Sequence, residues 1–343
     1  MRIITTEQIS KFHPDKYADQ IADAIVDACM AQDKNARVAC EVMVKDTIVV
    51  LGGEIKTSAK VDYTDVVLTV ANKLGYNVTK VTNLLGVQSQ EINDAVDTDA
   101  GLKAGDQGIM FGYACRDTYK LLPIGLAVAN ATIKTIETDV DKNPHTILRG
   151  DAKCQVAVDE DTKQVQKVLI SVCSKKGYSL EEVKDYVRHL VNYELGDIPL
   201  TINPAGLWNI GGPIADCGVT GRKIVCDQYG PYCPVGGGSF SGKDPSKVDR
   251  SATYMARYLA KYALGIVPNA YECQVQLSYT IGQAEPYSLN VDFKDKALEE
   301  IEEEMKQKII NKFDLTPSGI IDFLKLKSRS FEAMAEGYHL SWV

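Results

Sequence analysis

The chain has 343 residues, 45% of them hydrophobic and 24% charged, with a formal net charge of −8 and nine cysteines. The acidic balance argues against nucleic-acid binding, which needs a basic surface. The odd cysteine count without a C-x-x-C pair argues against a disulfide framework or structural zinc. The longest apolar run, "LLPIGLAVANA" at 121–131, is broken by Pro123 and Gly125 and is too short to span a bilayer. No apolar leader precedes it in "MRIITTEQISKFH", so the expected location is the cytoplasm, with no membrane partner.

The first clear element is a helix over "KYADQIADAIVDACMAQ" (16–32). Tyr17, Ile21, Ile25, Ala28 and Cys29 share one face, and Asp19, Asp23 and Asp27 lie off it. "HPDK" (13–16) opens this helix. Pro14 suits the first helical position and Asp15 the positive end of the dipole. Ordinary capping explains them, but leaves His13, one of four histidines, less accounted for. Two alternating strands follow, "ACEVMVK" (39–45) and "TIVVLGGEI" (47–55), and then a helix near 62–75. "KAGDQGIMFGYA" (103–114) is glycine-rich around Asp106 and by itself reads equally as a tight turn. A second unit has a helix near 120–138, strands at 152–158 and 165–173, and a helix near 179–194. "RGDAKCQV" (149–156) puts Asp151 and Lys153 on one face at the start of its first strand, where a lysine can also serve to guard an edge.

A third unit has a helix near 247–264, strands at 271–280 and 287–293, and a helix near 296–312. Its acidic run "KALEEIEEEMKQK" (296–308) is simplest as a solvated face. The pattern is α-β-β-α three times, and "ACEVMVK", "KCQVAVD" and "ECQVQLS" are its recurring first strands. This predicts an α+β fold of three similar units, each a small sheet with helices on one face. The other sheet faces then need covering, by the other units or by a second subunit.

Two loops concentrate cations and aspartates among glycines. "NIGGPIADCGVTGRKIVCD" (209–227) carries Asp216, Arg222 and Lys223. "GGGSFSGKDPSKVDRS" (236–251) carries Lys243, Lys247, Asp249 and Arg250. The second matches a P-loop as far as Gly242 and Lys243. Asp244 then stands where Ser or Thr should hold Mg²⁺, and the preceding "QYGPYCPV" is no strand core. In an acidic protein such a cluster suits a polyphosphate carrying Mg²⁺.

Together these motifs resemble the S-adenosylmethionine synthetase (methionine adenosyltransferase) family. They are "HPDK", "ARVACEV", "VLGGEI", "QSQEI", "AGDQGIMFGYA", "DAKCQV", "GGPIADCGVTGRK" and "GGGSFSGKDPSKVDRSA", in the family's order and over nearly the whole chain. The resemblance implies three domains about a pseudo-threefold axis, here 1–100, 101–210 and 211–343, with structural boundaries open to interruption. It implies attack of the methionine sulfur on ribose C5′ of ATP, then hydrolysis of the released triphosphate. It places His13 near the C5′–triphosphate oxygen and Lys153, Arg222, Lys223 and Lys243 on phosphates. Asp151, Trp208, Asp216 and Ser239 fall at ATP positions, and Asp106 matches an active-site aspartate. Glu54, Gln88, Asp216 and Lys247 match methionine positions. Asp15 and Asp249 match ligands of Mg²⁺, two ions per site, and Glu41 matches the K⁺ glutamate.

The resemblance further implies a homodimer with sites at the subunit interface, a tetramer being the alternative, and a gating loop near 89–103. Several residues depart from the family pattern: Phe12 replaces Gly, Leu207 and Trp208 replace a basic–Phe pair, and Val235 replaces His. The gating loop is slightly short and "EGYHLSWV" ends early. These departures bear on adenine contacts and substrate tolerance and leave the phosphate and metal positions intact. The alternatives are a kinase using the near-P-loop, which would release ADP, and a non-catalytic nucleotide-binding protein, which would show no methionine-dependent turnover.

Overall fold

The computed structural model describes residues 2–87, 97–98 and 101–343. In chain order the main elements are β1 (Ile3–Ile9), α1 (Pro14–Gln32), β2 (Arg37–Lys45), β3 (Ile48–Lys56), α2 (Tyr63–Lys73), β4 (Lys80–Asn83), a short pair β5 (Asp97–Thr98) and β6 (Gly101–Leu102), and β7 (Gly108–Cys115). There follow α3 (Ile124–Lys142), β8 (Leu148–Asp159), β9 (Gln164–Ser174), α4 (Leu180–Leu190), β10 (Leu200–Ile202) and β11 (Gly218–Val219). The last are α5 (Val248–Ile266), β12 (Glu272–Tyr279), β13 (Ser288–Asp292), α6 (Glu299–Lys312), α7 (Pro317–Phe323) and α8 (Phe331–Ala335).

Each of the three expected hairpins lies in a sheet of its own. The sheet orders are β11-β2-β3-β4, β1-β8-β9-β10 and β13-β12-β7. Period-2 alternation is plain in β2, where Val38, Cys40, Val42 and Val44 are buried and Glu41 and Met43 are exposed. Cys40, Cys154 and Cys273 of the recurring strands are all buried. Each fully buried Val, Ile or Leu contributes about 1.5–3 kcal/mol.

The sheets do not follow the linear units. Each hairpin's first strand pairs antiparallel with a strand from elsewhere in the chain: β1 with β8, β11 with β2, and β7 with β12. β7 lies in the stretch "KAGDQGIMFGYA", whose alternative reading was a turn. Its Gly112 lets the strand touch α5, since a Cβ there would lie 2.0 Å from the Ala256 carbonyl carbon. Pairing the hairpin edge this way protects it from other chains and ties the units together.

The core reflects this. Residues of the first and third units, including Ile21, Val42, Leu259 and Val275, share one cluster. The middle unit keeps its own, around Ile136, Val156, Ile170 and Val187.

α3 starts at Ile124, later than the expected 120, because Pro123 takes the N-cap and the Asp117 carboxylate accepts from Ile124 N–H at 3.1 Å. On α6, Glu299, Glu300, Glu303 and Glu304 are exposed while Met305 and Ile309 are buried, which is the solvated acidic face expected.

The off-face aspartates of α1 are buried or half-buried. Asp19 and Asp23 are buried, because each holds a loop of the C-terminal segment. Asp19 accepts from Gly221 N–H at 2.9 Å and Asp23 from Gly242 N–H at 2.9 Å. Asp27 accepts from Phe331 and Glu332 N–H and caps α8. The i, i+4 spacing that aligns them on one helix face becomes a row of anchors for distant chain.

Candidate active site

The site residues fall into two clusters at different levels of α1. The first is at its N-terminus. His13 is the N-cap, and its Nδ1 accepts from Asp15 N–H at 3.2 Å. That leaves the ring proton on Nε2, which is a donor. Burial, then the neighbouring Lys223 cation, lower the His13 pKa to about 3, so the ring is neutral at physiological pH.

Asp15 is fully buried and accepts from Val219 N–H at 2.9 Å. Its other contacts are ion pairs, with Arg222 Nε at 3.2 Å and with Lys223 Nζ. Lys153 and Asp216 act electrostatically on His13 and belong to the same cluster. Lys153, Asp216 and Arg222 are exposed to a ligand. Asp151 is buried and accepts from Gly212 N–H at 2.6 Å, while its Oδ1 has no hydrogen-bond partner among the described residues. Burial raises its pKa to about 6, against the opposing effect of that N–H.

The second cluster lines a cavity of about 420 Å³. β3 supplies Glu54, the turn before β7 supplies Asp106, the glycine-rich loop supplies Lys243, and the start of α5 supplies Lys247 and Asp249. Lys243 Nζ lies 2.7 Å from Asp249 Oδ2. A Cβ at Gly238 would fall 2.2 Å from the Asp249 carboxylate, so any larger residue there would displace that carboxylate.

The broken P-loop pattern has a structural explanation here. Asp244 is buried and faces protein, with its carboxylate accepting from Val38 N–H at 2.8 Å and from Ser246 N–H at 2.9 Å. The helix begins at Val248, five positions after Lys243, and no P-loop forms.

Glu41, on the solvent-facing side of β2, borders the second cluster, where the Lys243 cation acts on its carboxylate. Two expected residues stand outside these clusters. Trp208 packs at the end of β9, where its carbonyl accepts from Ser174 N–H at 2.9 Å. Ser239 lies against Gly221, whose Cβ would come within 2.6 Å of it. Gln88, and most of the 89–103 loop, fall outside the described residues. Sequence reasoning missed the anchoring role of Asp23, whose Oδ2 lies 2.5 Å from Arg250 Nη2. Its signal was the regular spacing of the α1 aspartates. Val87, also in the cavity wall, carried no signal, and Arg37 beside it was marked only as part of the motif "ARVACEV".

Among the described residues no three His, Cys, Asp or Glu side chains gather into a metal cage. A Mg²⁺ ion fits the donors present if substrate phosphates and water complete its shell, as Mg²⁺ usually requires.

Models of the S-adenosylmethionine synthetase N-terminal, central and C-terminal domains match residues 1–100, 101–208 and 210–342. The chain belongs to the S-adenosylmethionine synthetase family. It is 40% identical to the S-adenosylmethionine synthase of Sulfurovum sp., over 98% of this chain and 92% of that protein. It is 39% identical to a Helicobacter pylori S-adenosylmethionine synthase, over 94% and 89%. A solved S-adenosylmethionine synthetase from Campylobacter jejuni, described as unusual, superposes with a TM-score of 0.88 at 33% identity, covering 98% of this chain and 94% of that one. Membership carries synthesis of S-adenosylmethionine from ATP and methionine, a metal-dependent adenosyl transfer.

Proposed function

We propose that the transfer takes place in a composite site, one cluster coming from each of two copies of the chain. The observation that carries this is the split itself. Asp15 and Asp23, which fix the two clusters, are eight residues apart on α1, about 12 Å along its axis. The first cluster holds His13, Lys153, Arg222 and Lys223 with Asp15. The second holds Lys243 and Lys247 with Glu54, Asp106 and Asp249. Exposed Met43, Ile48 and Ile109 on or beside the open sheet faces suit a subunit contact.

In this reading the first cluster binds ATP. Nε2–H of His13 donates to the C5′ oxygen as it becomes the leaving group. A neutral donor there gains strength as charge develops, which is the preorganised stabilisation catalysis needs. Lys153, Arg222, Lys223 and Lys243 spread the triphosphate charge, and Asp151, Trp208, Asp216 and Ser239 place the nucleoside end. Glu54, Asp216 and Lys247, with Gln88, grip the amino acid of methionine. Holding the thioether near C5′ can contribute about 7–11 kcal/mol. Asp15 and Asp249 would hold Mg²⁺ and Glu41 K⁺; bound metal neutralises phosphate charge. Triphosphate hydrolysis then follows on the same cations. Nine free cysteines fit a reducing compartment, the cytoplasm. No helix among the described residues is long and apolar enough to cross a membrane.

Complementation tests the composite site. Arg222→Ala and Lys243→Ala are each expected to be inactive. Co-refolded in equal amounts, half the dimers are mixed, and each mixed dimer has one intact site. About one quarter of the wild-type rate should return. No recovery in verified mixed dimers refutes the arrangement. ADP released without S-adenosylmethionine would favour the kinase reading.

A further inference from the structure

The glycine-rich loop that presents Lys243 is held on one side by α1 and β2. Gly242 N–H donates to Asp23, and its carbonyl accepts from Cys40 N–H at 2.8 Å. The Lys243 carbonyl accepts from Arg250 Nη1 at 2.8 Å. The other side of the loop meets the segment after α8. There His339 is completely buried, with Nε2 3.2 Å from Ser241 Oγ and Nδ1 3.3 Å from the Tyr254 hydroxyl. Its ring lies 5.2 Å from that of Phe240. Ser241 itself is buried, so water does not substitute for the histidine.

We infer that His339 is a positioning residue for the transfer reaction: through Ser241 it sets the loop that aims Lys243 at the phosphates. Burial, with Lys16 and Arg250 nearby, drives the His339 pKa well below its ordinary value and keeps the ring neutral. A neutral imidazole has one donor and one acceptor nitrogen. It can therefore satisfy Ser241 and Tyr254 together, and a hydrocarbon of the same shape could satisfy neither. His339 is far along the chain from the loop and touches no reacting atom. Its effect passes through one hydroxyl two residues before Lys243.

This rests on the reading that Lys243 contacts phosphate, and the test separates the two. Glutamine places an amide near the Nε2 position, and asparagine near Nδ1. His339→Gln should keep the Ser241 bond and recover most of kcat. His339→Asn should lose it and lower kcat about tenfold, the loss of roughly one hydrogen bond, with KM for methionine unchanged. Asparagine is one methylene smaller than glutamine, so melting temperatures are read beside kcat and the rates are compared per folded protein. Ser241→Ala should match His339→Asn, and the double variant should lose no more than either single. The inference is overturned if the Asn and Gln variants lose activity equally, if neither does, or if the Ser241 and His339 losses multiply. Lys243→Ala is run beside them. If it stays fully active, the phosphate role of Lys243 fails whatever His339 does.

Discussion

Asp23→Ala is a severe perturbation with a computable cost. Asp23 and Arg250 are both fully buried, and their side chains meet at 2.5 Å. Removing the carboxylate takes the paired countercharge from the guanidinium, which also stacks 4.4 Å over the Phe331 ring and is left with only the more weakly acting Asp27. Breaking one partner of a buried pair costs about 3–5 kcal/mol. Gly242 N–H also loses its acceptor, at about 1 kcal/mol, so the total is roughly 4–6 kcal/mol. Asp23→Ala/Arg250→Met takes away both charges and should recover most of this, leaving about 1–2 kcal/mol. Urea unfolding of the three proteins in a Trp208→Phe background, followed by the fluorescence of Trp342, which packs 5.0 Å from Tyr254, measures the difference. A chain with more than one core need not unfold in one step, so the transition reported by Trp342 is the one to compare. If Asp23→Ala costs under about 1 kcal/mol, or if the second substitution adds to the loss, the pair is not the anchor described here.

Lys243→Ala should lower the chemical rate about 100-fold or more. Its pair with Asp249 is partly exposed, so unfolding should shift by less than about 1 kcal/mol; collapsed stability with normal turnover of the surviving protein would refute the phosphate role. His13 has its folded pKa lowered to about 3 from 6.5. Its contribution to stability is therefore complete above pH 6.5 and is lost as pH falls toward 3. Between pH 7.5 and 5 the advantage of wild type over His13→Asn should shrink by about 2 kcal/mol, and an NMR titration of the ring near pH 6.5 would contradict this. Gly242→Ala combines φ of +82° with a Cβ placed 1.9 Å from the Cys40 carbonyl oxygen. It should cost at least about 2 kcal/mol in urea unfolding, and a neutral effect would show the loop is not clamped as described. Activity should also fall with dilution below the dimer dissociation constant, and full activity in a verified monomer would end the shared-site reading.

Much of this protein is legible from local pattern. The hairpins at 37–56, 148–174 and 272–292 and their flanking helices follow from period-2 and period-3.6 burial, which neighbours in sequence record. The motif order marks Lys243 and Asp249 for one loop and the following helix, and they lie 2.7 Å apart. Asp244 in place of Ser or Thr, and the lack of a strand core before the glycines, already argue against a P-loop in the sequence. What sequence could not show is which distant strand completes each sheet. β7 bears glycines and β11 is two residues long, and the partners of β1, β7 and β11 all lie more than a hundred residues away. Gly112 looks like turn chemistry until α5 is packed against it. The same holds for Asp19, Asp23 and Asp27, which in sequence are only the polar side of an amphipathic helix. Tertiary structure turned them into anchors and divided one list of site residues between two clusters. The physical reason is that local periodicity encodes only whether a side is buried. What it is buried against depends on contacts between distant parts of the chain, such as Asp23 with Arg250, 227 residues apart, and Ser241 with His339, 98 apart.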